Sequence, residues 1–304
     1  MQYTIIVNPT SGKGTGLSSI PQIRSIFNQA GVEYNIIQTE YPGHAIKLAY
    51  EHGKASDHII SAGGDGTSNE IINGLMQLRE ETGNTPILGV IPVGRGNDFA
   101  YGMGIPMGVE PSCEVVLHGK SKKTDIGLVY GDNFPKGRYF GNGVGVGFDA
   151  VVGFVAAKSK LRGFLSYIVA AIKTIFIYYK APLMEVATDR ETFQITALMI
   201  SIMNGKRMGG GFYMAPESDP CDNLFDLCCV EQVSKARIFP LMTKFFSGSQ
   251  GGHPAVRFIQ GSKVTIKALK GSLPAHADGE TVCTEGSEIR IELLPHPLEV
   301  LTVV

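Results

Sequence analysis

A chain of 304 residues is long enough for two packed domains with interior clefts. Its 27 Lys and Arg against 28 Asp and Glu leave a formal charge of −1, which removes the general electrostatic reason to expect a nucleic-acid partner. The 38 glycines cluster in loops such as GGDGT and GNGVGVG without a three-residue period, so a collagen-like chain is excluded. The 5 cysteines, Cys113, Cys221, Cys228, Cys229 and Cys283, are odd in number and lack metal-ligand spacing, which predicts free thiols in a reducing compartment. No basic stretch or long apolar run precedes Tyr3, so no signal peptide is expected and a cytoplasmic location follows as an expectation.

The first hundred residues alternate β-branched runs with helical patterns. Strands are predicted at Tyr3 to Val7, Tyr34 to Gln38, His58 to Ser61 and Ile87 to Ile91, with helices at Leu17 to Ala30, His44 to Gly53 and Asn69 to Arg79. Strands separated by helices of crossover length predict an open, mostly parallel α/β sheet, whose ligands bind beyond the carboxyl ends of the strands. From about Asp125 short strand-like runs take over: Lys123 to Tyr130, Arg138 to Val144, Leu183 to Thr188, Phe193 to Asn204, Leu224 to Val230, Val256 to Gln260, Lys263 to Leu269 and Glu288 to Leu294. They predict a β-rich, mostly antiparallel sandwich domain over 125–297, with a helical insertion near 151–179. The α/β domain then covers 1–124, and the final run, 298–304, is a terminal strand that either domain could take up. Ile168 to Tyr179 is apolar apart from Lys173 and Thr174 but falls short of the roughly 20 residues a spanning helix needs. It reads as a core helix or as a helix whose apolar face meets a lipid surface.

Chemistry-bearing residues sit in the loops after the first four strands. Asn8-Pro9-Thr10-Ser11-Gly12-Lys13-Gly14 combines a proline turn with a glycine-rich approach to a helix, where backbone N–H groups, the hydroxyls of Ser11 and Thr15 and the charge of Lys13 can meet phosphate. Its spacing is not that of the P-loop. In Gly63-Gly64-Asp65-Gly66-Thr67 three glycines surround one carboxylate, and Thr67 is expected to cap the helix that follows. A carboxylate beside a phosphate site is electrostatically wrong unless it handles Mg2+ or accepts a proton from an attacking hydroxyl. Asn69 and Asn73 lie four apart on that helix, where they either order the loop or touch a nucleotide. Gly94-Arg95-Gly96-Asn97-Asp98 reads as an adenosine contact or as support for GGDGT. Farther on, Asp222, with Asp219 and Asp226, fits either a Mg2+–water network or a solvated turn. Asp278-Gly279-Glu280 fits a hairpin bend with Glu280 as a candidate general base. No HxxxH, HExxH or Gly-x-Ser-x-Gly pattern occurs, which disfavours zinc hydrolases and lipases.

Together these residues resemble the diacylglycerol kinase catalytic-domain family, which includes sphingoid and bacterial soluble lipid kinases, over essentially the whole chain. Asn8 to Gly12 is similar to the family's first loop and Gly63 to Leu75 to its signature, while Gly94 to Ala100, Asn204-Gly205 with Gly209 to Gly211, Asp222 and Asp278 to Glu280 are similar to later blocks. The resemblance implies ATP bound between the two domains, with Asn8, Ser11, Thr39 and Thr67 on nucleotide or phosphates. The glycines Gly12, Gly63, Gly64, Gly66 and Gly94, with Asn97, complete the nucleotide site. Asp65 belongs to the Mg2+-ATP site, Asp222 to a supporting Mg2+–water network, and Glu280 becomes the base on the lipid hydroxyl, with Asp65 as the alternative. It implies transfer of the γ-phosphoryl group of ATP to a lipid hydroxyl, diacylglycerol first. The partner is then a membrane surface touched peripherally and transiently, with no nucleic acid, and a homodimer is left open. NAD kinase, a sphingoid-base kinase and an inactive nucleotide- or lipid-binding regulator are the alternatives. The sequence departs from the family pattern at Arg95-Gly96, where Thr and a small residue are common, at Tyr101 and at Asn223.

Overall fold

The computed structural model describes residues 1–157, 169, 173–174 and 181–303. The chain forms two compact units, residues 1–126 with 295–304 and residues 127–294.

In the first unit, β1 (Gln2–Val7), β2 (Glu33–Gln38), β3 (His58–Gly63) and β4 (Ile87–Pro92) pair in parallel in the order β2, β1, β3, β4. The crossover helices are α1 (Thr15–Ala30), α2 (His44–Gly53) and α3 (Asp65–Thr82), followed by the short α4 (Asp98–Gly102) and α5 (Val109–His118). Every residue of β3 is buried, as expected of a central parallel strand covered on both faces. Ile5, Val7, Ile60, Ala62 and Ile91 pack there against Ile23 and Phe27 of α1 and Cys113 and Val116 of α5. Helix α1 stops at Gly31 and α3 at Gly83, both in the left-handed conformation that glycine adopts without a Cβ penalty.

The second unit is antiparallel. Strands β5 (Lys120–Gly131) and β15 (Glu288–Thr302) each run through the boundary between the units. Beyond it, β5 pairs with β6 (Phe134–Phe140). β9 (Thr192–Met203) pairs with β7 (Gly143–Gly147), β8 (Leu183–Thr188) and β10 (Phe225–Glu231). β11 (Val256–Gly261) flanks β10, and β12 (Lys263–Lys270) lies between β8 and the first half of β15. β13 (Leu273–Ala277) joins β7 to β14 (Glu280–Gly286). Phe140, Phe225, Ile200, Ile266 and Ile289 lie in its apolar core. Helices α6 (Phe148–Ala157) and α7 (Lys235–Ser247) share a second apolar cluster that includes Val152, Ile238, Leu241 and Phe245. The end of β15 returns to the first unit, where Val300 pairs in parallel with Leu88 of β4.

Two expectations need correction. The run Arg138 to Val144 is not one strand: β6 ends at Phe140 and β7 begins at Gly143, because the N–H groups of Gly141, Asn142 and Gly143 turn to the carboxylate of Asp278. The helical insertion begins earlier than 151, at Phe148, and most of its later part lies outside the described residues. Helices α4, α5 and α7 were not foreseen. Among the described residues no helix is long and apolar enough to cross a membrane.

Candidate active site

Three loops of the first unit meet backbone to backbone. Gly12 has φ +58, and a Cβ on it would stand 2.3 Å from the carbonyl oxygen of Val93, so the loop after β1 lies directly on the loop after β4. A Cβ on Gly94 would stand 2.3 Å from Cα of Gly64, and one on Gly64 would be 3.5 Å from Oγ of Ser11. The missing side chains of Gly12 and Gly94 let the backbones come this close.

At the junction α3 begins. Its N-cap is Gly64, and no side chain caps it. Thr67 does not take the cap role expected of it, because it lies inside the first turn; its Oγ1 instead accepts from Nδ2 of Asn8 at 3.0 Å. A Cβ on Gly63 would meet the Thr67 side chain at 2.4 Å. By contrast, a Cβ on Gly66 would point into open space. An uncapped terminus of a long helix with an open approach suits an anion, since N–H groups and the helix dipole both face it.

Asp65 turns inward. Its Oδ1 accepts from the N–H of Phe99 at 3.1 Å, so it holds the first turn of α4. Burial pushes its carboxyl well above the usual range, while the N–H groups of Phe99, Asp98 and Asn97 pull it back. Asn97, left-handed at φ 54, exchanges two hydrogen bonds with Gly94: the Gly94 N–H donates to Oδ1 at 3.0 Å and Nδ2 donates to the Gly94 oxygen at 3.2 Å. The Asn97 loop therefore supports GGDGT through Asp65. Asn73 donates to the backbone oxygen of Asn69 at 2.8 Å, which orders α3. Glu70 accepts from the N–H groups of Gly43 and Ala45, capping α2. Thr39 is tied through its N–H to Val7, and its hydroxyl makes no hydrogen bond among the described residues.

Two cations border the junction. Lys13 and Arg95 are exposed, and neither side chain makes a hydrogen bond or ion pair among the described residues. Lys13 holds φ 65 between two left-handed glycines, Gly12 and Gly14.

In the second unit, Asp278 is left-handed at φ 47 and its carboxylate accepts three N–H groups, from Gly141 at 2.9 Å, Asn142 at 3.2 Å and Gly143 at 2.9 Å. It is thereby committed to backbone. Glu280, two residues on, is exposed over 45% of its side chain and lies 3.9 Å from the guanidinium of Arg138, a neighbour that nothing in the sequence pattern announced. Oδ1 of Asp222 accepts from Leu224 N–H at 3.0 Å, in a turn where Asn223 has φ 66. Asp226 accepts from Gln260, and burial raises its carboxyl. Among the described residues no three His, Cys, Asp or Glu side chains gather as a metal cage.

A third polar group was not foreseen. Oδ2 of Asp149, in the first turn of α6, and Nε2 of His276 on β13 converge over Gly145, 2.3 and 2.6 Å from where its Cβ would stand. Ser201 donates to Asp149 at 3.1 Å. Burial pushes Asp149 up to about 7 and His276 down to about 4.

The chain thus combines an α/β unit that has a glycine-lined helix terminus with a β-rich unit. The description "Diacylglycerol kinase catalytic domain" matches residues 2–129, and "YegS C-terminal NAD kinase beta sandwich-like domain" matches residues 142–302. Diacylglycerol kinase of Bacillus subtilis (strain 168) is 31% identical over 280 residues, 91% of this chain and 88% of that protein. Diacylglycerol kinase of Staphylococcus aureus (strain bovine RF122 / ET3-1) is 32% identical over 279 residues, 91% of this chain and 85% of its own. A diacylglycerol kinase structure from Bacillus anthracis str. Sterne superposes with TM-score 0.75 at 20% identity, covering 99% of this chain and 96% of that one. An NAD kinase from Archaeoglobus fulgidus in complex with ATP shares the fold at TM-score 0.52 and 16% identity, covering 99% and 93%. The chain belongs to the diacylglycerol kinase family, phosphotransferases of the lipid kinase type.

Proposed function

We propose that this chain transfers the γ-phosphoryl group of ATP to a lipid hydroxyl, with diacylglycerol as acceptor and phosphatidic acid as product. The observation that carries the reading is the glycine junction at the uncapped start of α3, which leaves Gly66 open and two unengaged cations, Lys13 and Arg95, on its rim. Backbone N–H groups there, with Ser11, hold the donor phosphates; Asn8 and Thr67 hold the loop in shape.

Glu280 takes the proton of the acceptor hydroxyl as its oxygen attacks the γ-phosphorus. One O–P bond forms, the bond to the bridging oxygen breaks, and ADP leaves with that electron pair. Arg138 keeps Glu280 oriented. Asp65, committed to α4 through the Phe99 N–H, would serve a bound Mg2+ by holding the GGDGT loop in shape. Asp222 would be the carboxylate for the water shell of such an ion, and Mg2+ would supply charge neutralisation of the phosphates. Asp278 is not an alternative base, because its carboxylate is occupied by three N–H groups.

The test is transfer from ATP labelled in its γ-phosphate, with Mg2+, to micelles of diacylglycerol, phosphatidylglycerol, sphingosine, ceramide or undecaprenol, with NAD in a parallel aqueous reaction. Label in diacylglycerol supports the reading. Label in another lipid changes the acceptor, and label in NAD alone overturns it.

A further inference from the structure

The chain's near-neutral total hides a one-sided stretch. Between Glu231 and Asp278 there is no Asp or Glu, but there are seven Lys or Arg. Some of these are neutralised from elsewhere in the fold: Arg257 pairs with Glu191 and Lys267 with Glu288. The three on α7, Lys235, Arg237 and Lys244, are all exposed.

Their placement follows from the helix. Ile238, Leu241, Met242 and Phe245 bury one side of α7. At 100° per residue the middle of the opposite side has Ala236, Ser247, Thr243 and Pro240, and Phe239 lies off that middle toward Lys235. Lys235 then falls on one flank, with Lys244 and Arg237 on the other. Phe239, on the exposed arc beside Lys235, is 53% exposed. An exposed ring between basic flanks is the arrangement of a helix lying in a lipid interface, where the ring enters the acyl boundary and long cationic side chains reach headgroups.

The helix dipole does not explain it. Lys235 and Arg237 sit in the first turn, at the positive end of the helix dipole, and that turn has no acidic residue. Cations there are repelled by the dipole. The same helix packs on the cluster that contains Val152 of α6, and its Phe245 oxygen accepts from the N–H of Tyr213, in the loop that leads to Asp222.

We infer that the outer face of α7 docks this kinase on an anionic lipid bilayer, with Phe239 inserted and Lys235, Arg237 and Lys244 on the headgroups. The inference rests on the lipid-acceptor reading for its purpose but not for its measurement.

Each basic side chain at such a surface strengthens association about fivefold, so the three together account for roughly 100-fold. The full chain is sedimented, without ATP, with vesicles of phosphatidylcholine alone and with phosphatidylglycerol added. Anionic vesicles should bind it at least tenfold more tightly, and the triple change Lys235→Gln, Arg237→Gln, Lys244→Gln should abolish that difference while melting remains at the wild-type temperature. The chain has 0 tryptophans. Phe239→Trp therefore gives a single tryptophan, excited selectively over the tyrosines, whose emission should shift to the blue with anionic vesicles and not with neutral ones.

Equal binding to both vesicles, full binding by the triple variant, or an unmoved Trp emission would each overturn the proposal. A concentration-dependent dimer that Phe239→Ser dissociates would overturn it too, by giving the face to a second copy. Vesicle binding with no phosphoryl transfer to any lipid would leave α7 docking in place and defeat the kinase reading alone.

Discussion

Nδ2 of Asn8 donates to Oγ1 of Thr67 at 3.0 Å, a bond that ties the loop after β1 to the first turn of α3 across 59 residues of sequence. Thr67 is buried, and the bond fixes the separation of two loops assigned to one phosphate chain. Thr67→Val should cost about 1 kcal/mol of stability and raise the KM for ATP several-fold, with a smaller change in kcat. Urea unfolding and steady-state kinetics check both parts.

Gly66 separates fold from function. It lies in the first turn of α3 with open space where a Cβ would go. Alanine favours a helix by about 1 kcal/mol over glycine, so Gly66→Ala should melt at or above the wild-type temperature. If donor phosphates occupy that space, the methyl group blocks them, and ATP affinity measured by calorimetry should fall at least tenfold.

Lys13 is held at φ 65, a conformation that costs a residue with a Cβ about 1 kcal/mol. Glycine would hold this conformation without that cost, and the proposed phosphate site gives the lysine charge a use there. Lys13→Gly should leave stability unchanged or slightly raised while weakening ATP binding, and Lys13→Gln should weaken binding equally without the stability gain. Paired melting and calorimetry distinguish the two.

Asp149 gives the pH prediction. Burial raises its folded pKa to about 7, so its contribution to stability is complete below the unfolded value of about 3.9 and is lost as pH rises through 7. His276, lowered to about 4, acts the other way: its contribution is present above about 6.5 and is lost as pH falls toward 4. Asp149→Asn should flatten the alkaline loss and melt above wild type at pH 8, while the acid limb remains. Melting temperatures from pH 4 to 9 test this.

The parallel unit was legible because β1, β3 and β4 are short apolar runs spaced by helix-length segments, and GGDGT marks its own turn. The side-chain directions were not. Whether Asp65 faces a ligand or α4 depends on Phe99 N–H, 34 residues away, and the break between β6 and β7 depends on Asp278, 137 residues beyond Gly141. Local pattern contains neither. Helix α7 was hidden by Pro240 within its span and by the mixture of Lys, Arg and Phe on its outer face, which spoils a simple apolar period. The Asp149 and His276 pair joins the start of α6 to β13, elements brought together only in the fold, through the register of His276 on Gly145 of β7.

The most direct test of the central claim compares wild type, Gly66→Ala and Glu280→Gln in γ-phosphate transfer to diacylglycerol, with ATP binding measured on the same samples. Wild type should label the lipid; Gly66→Ala should lose binding and transfer together; Glu280→Gln should keep binding and lose roughly 100-fold in rate. Unaltered transfer in Gly66→Ala would contradict the account, because donor phosphates would then lie somewhere other than the start of α3.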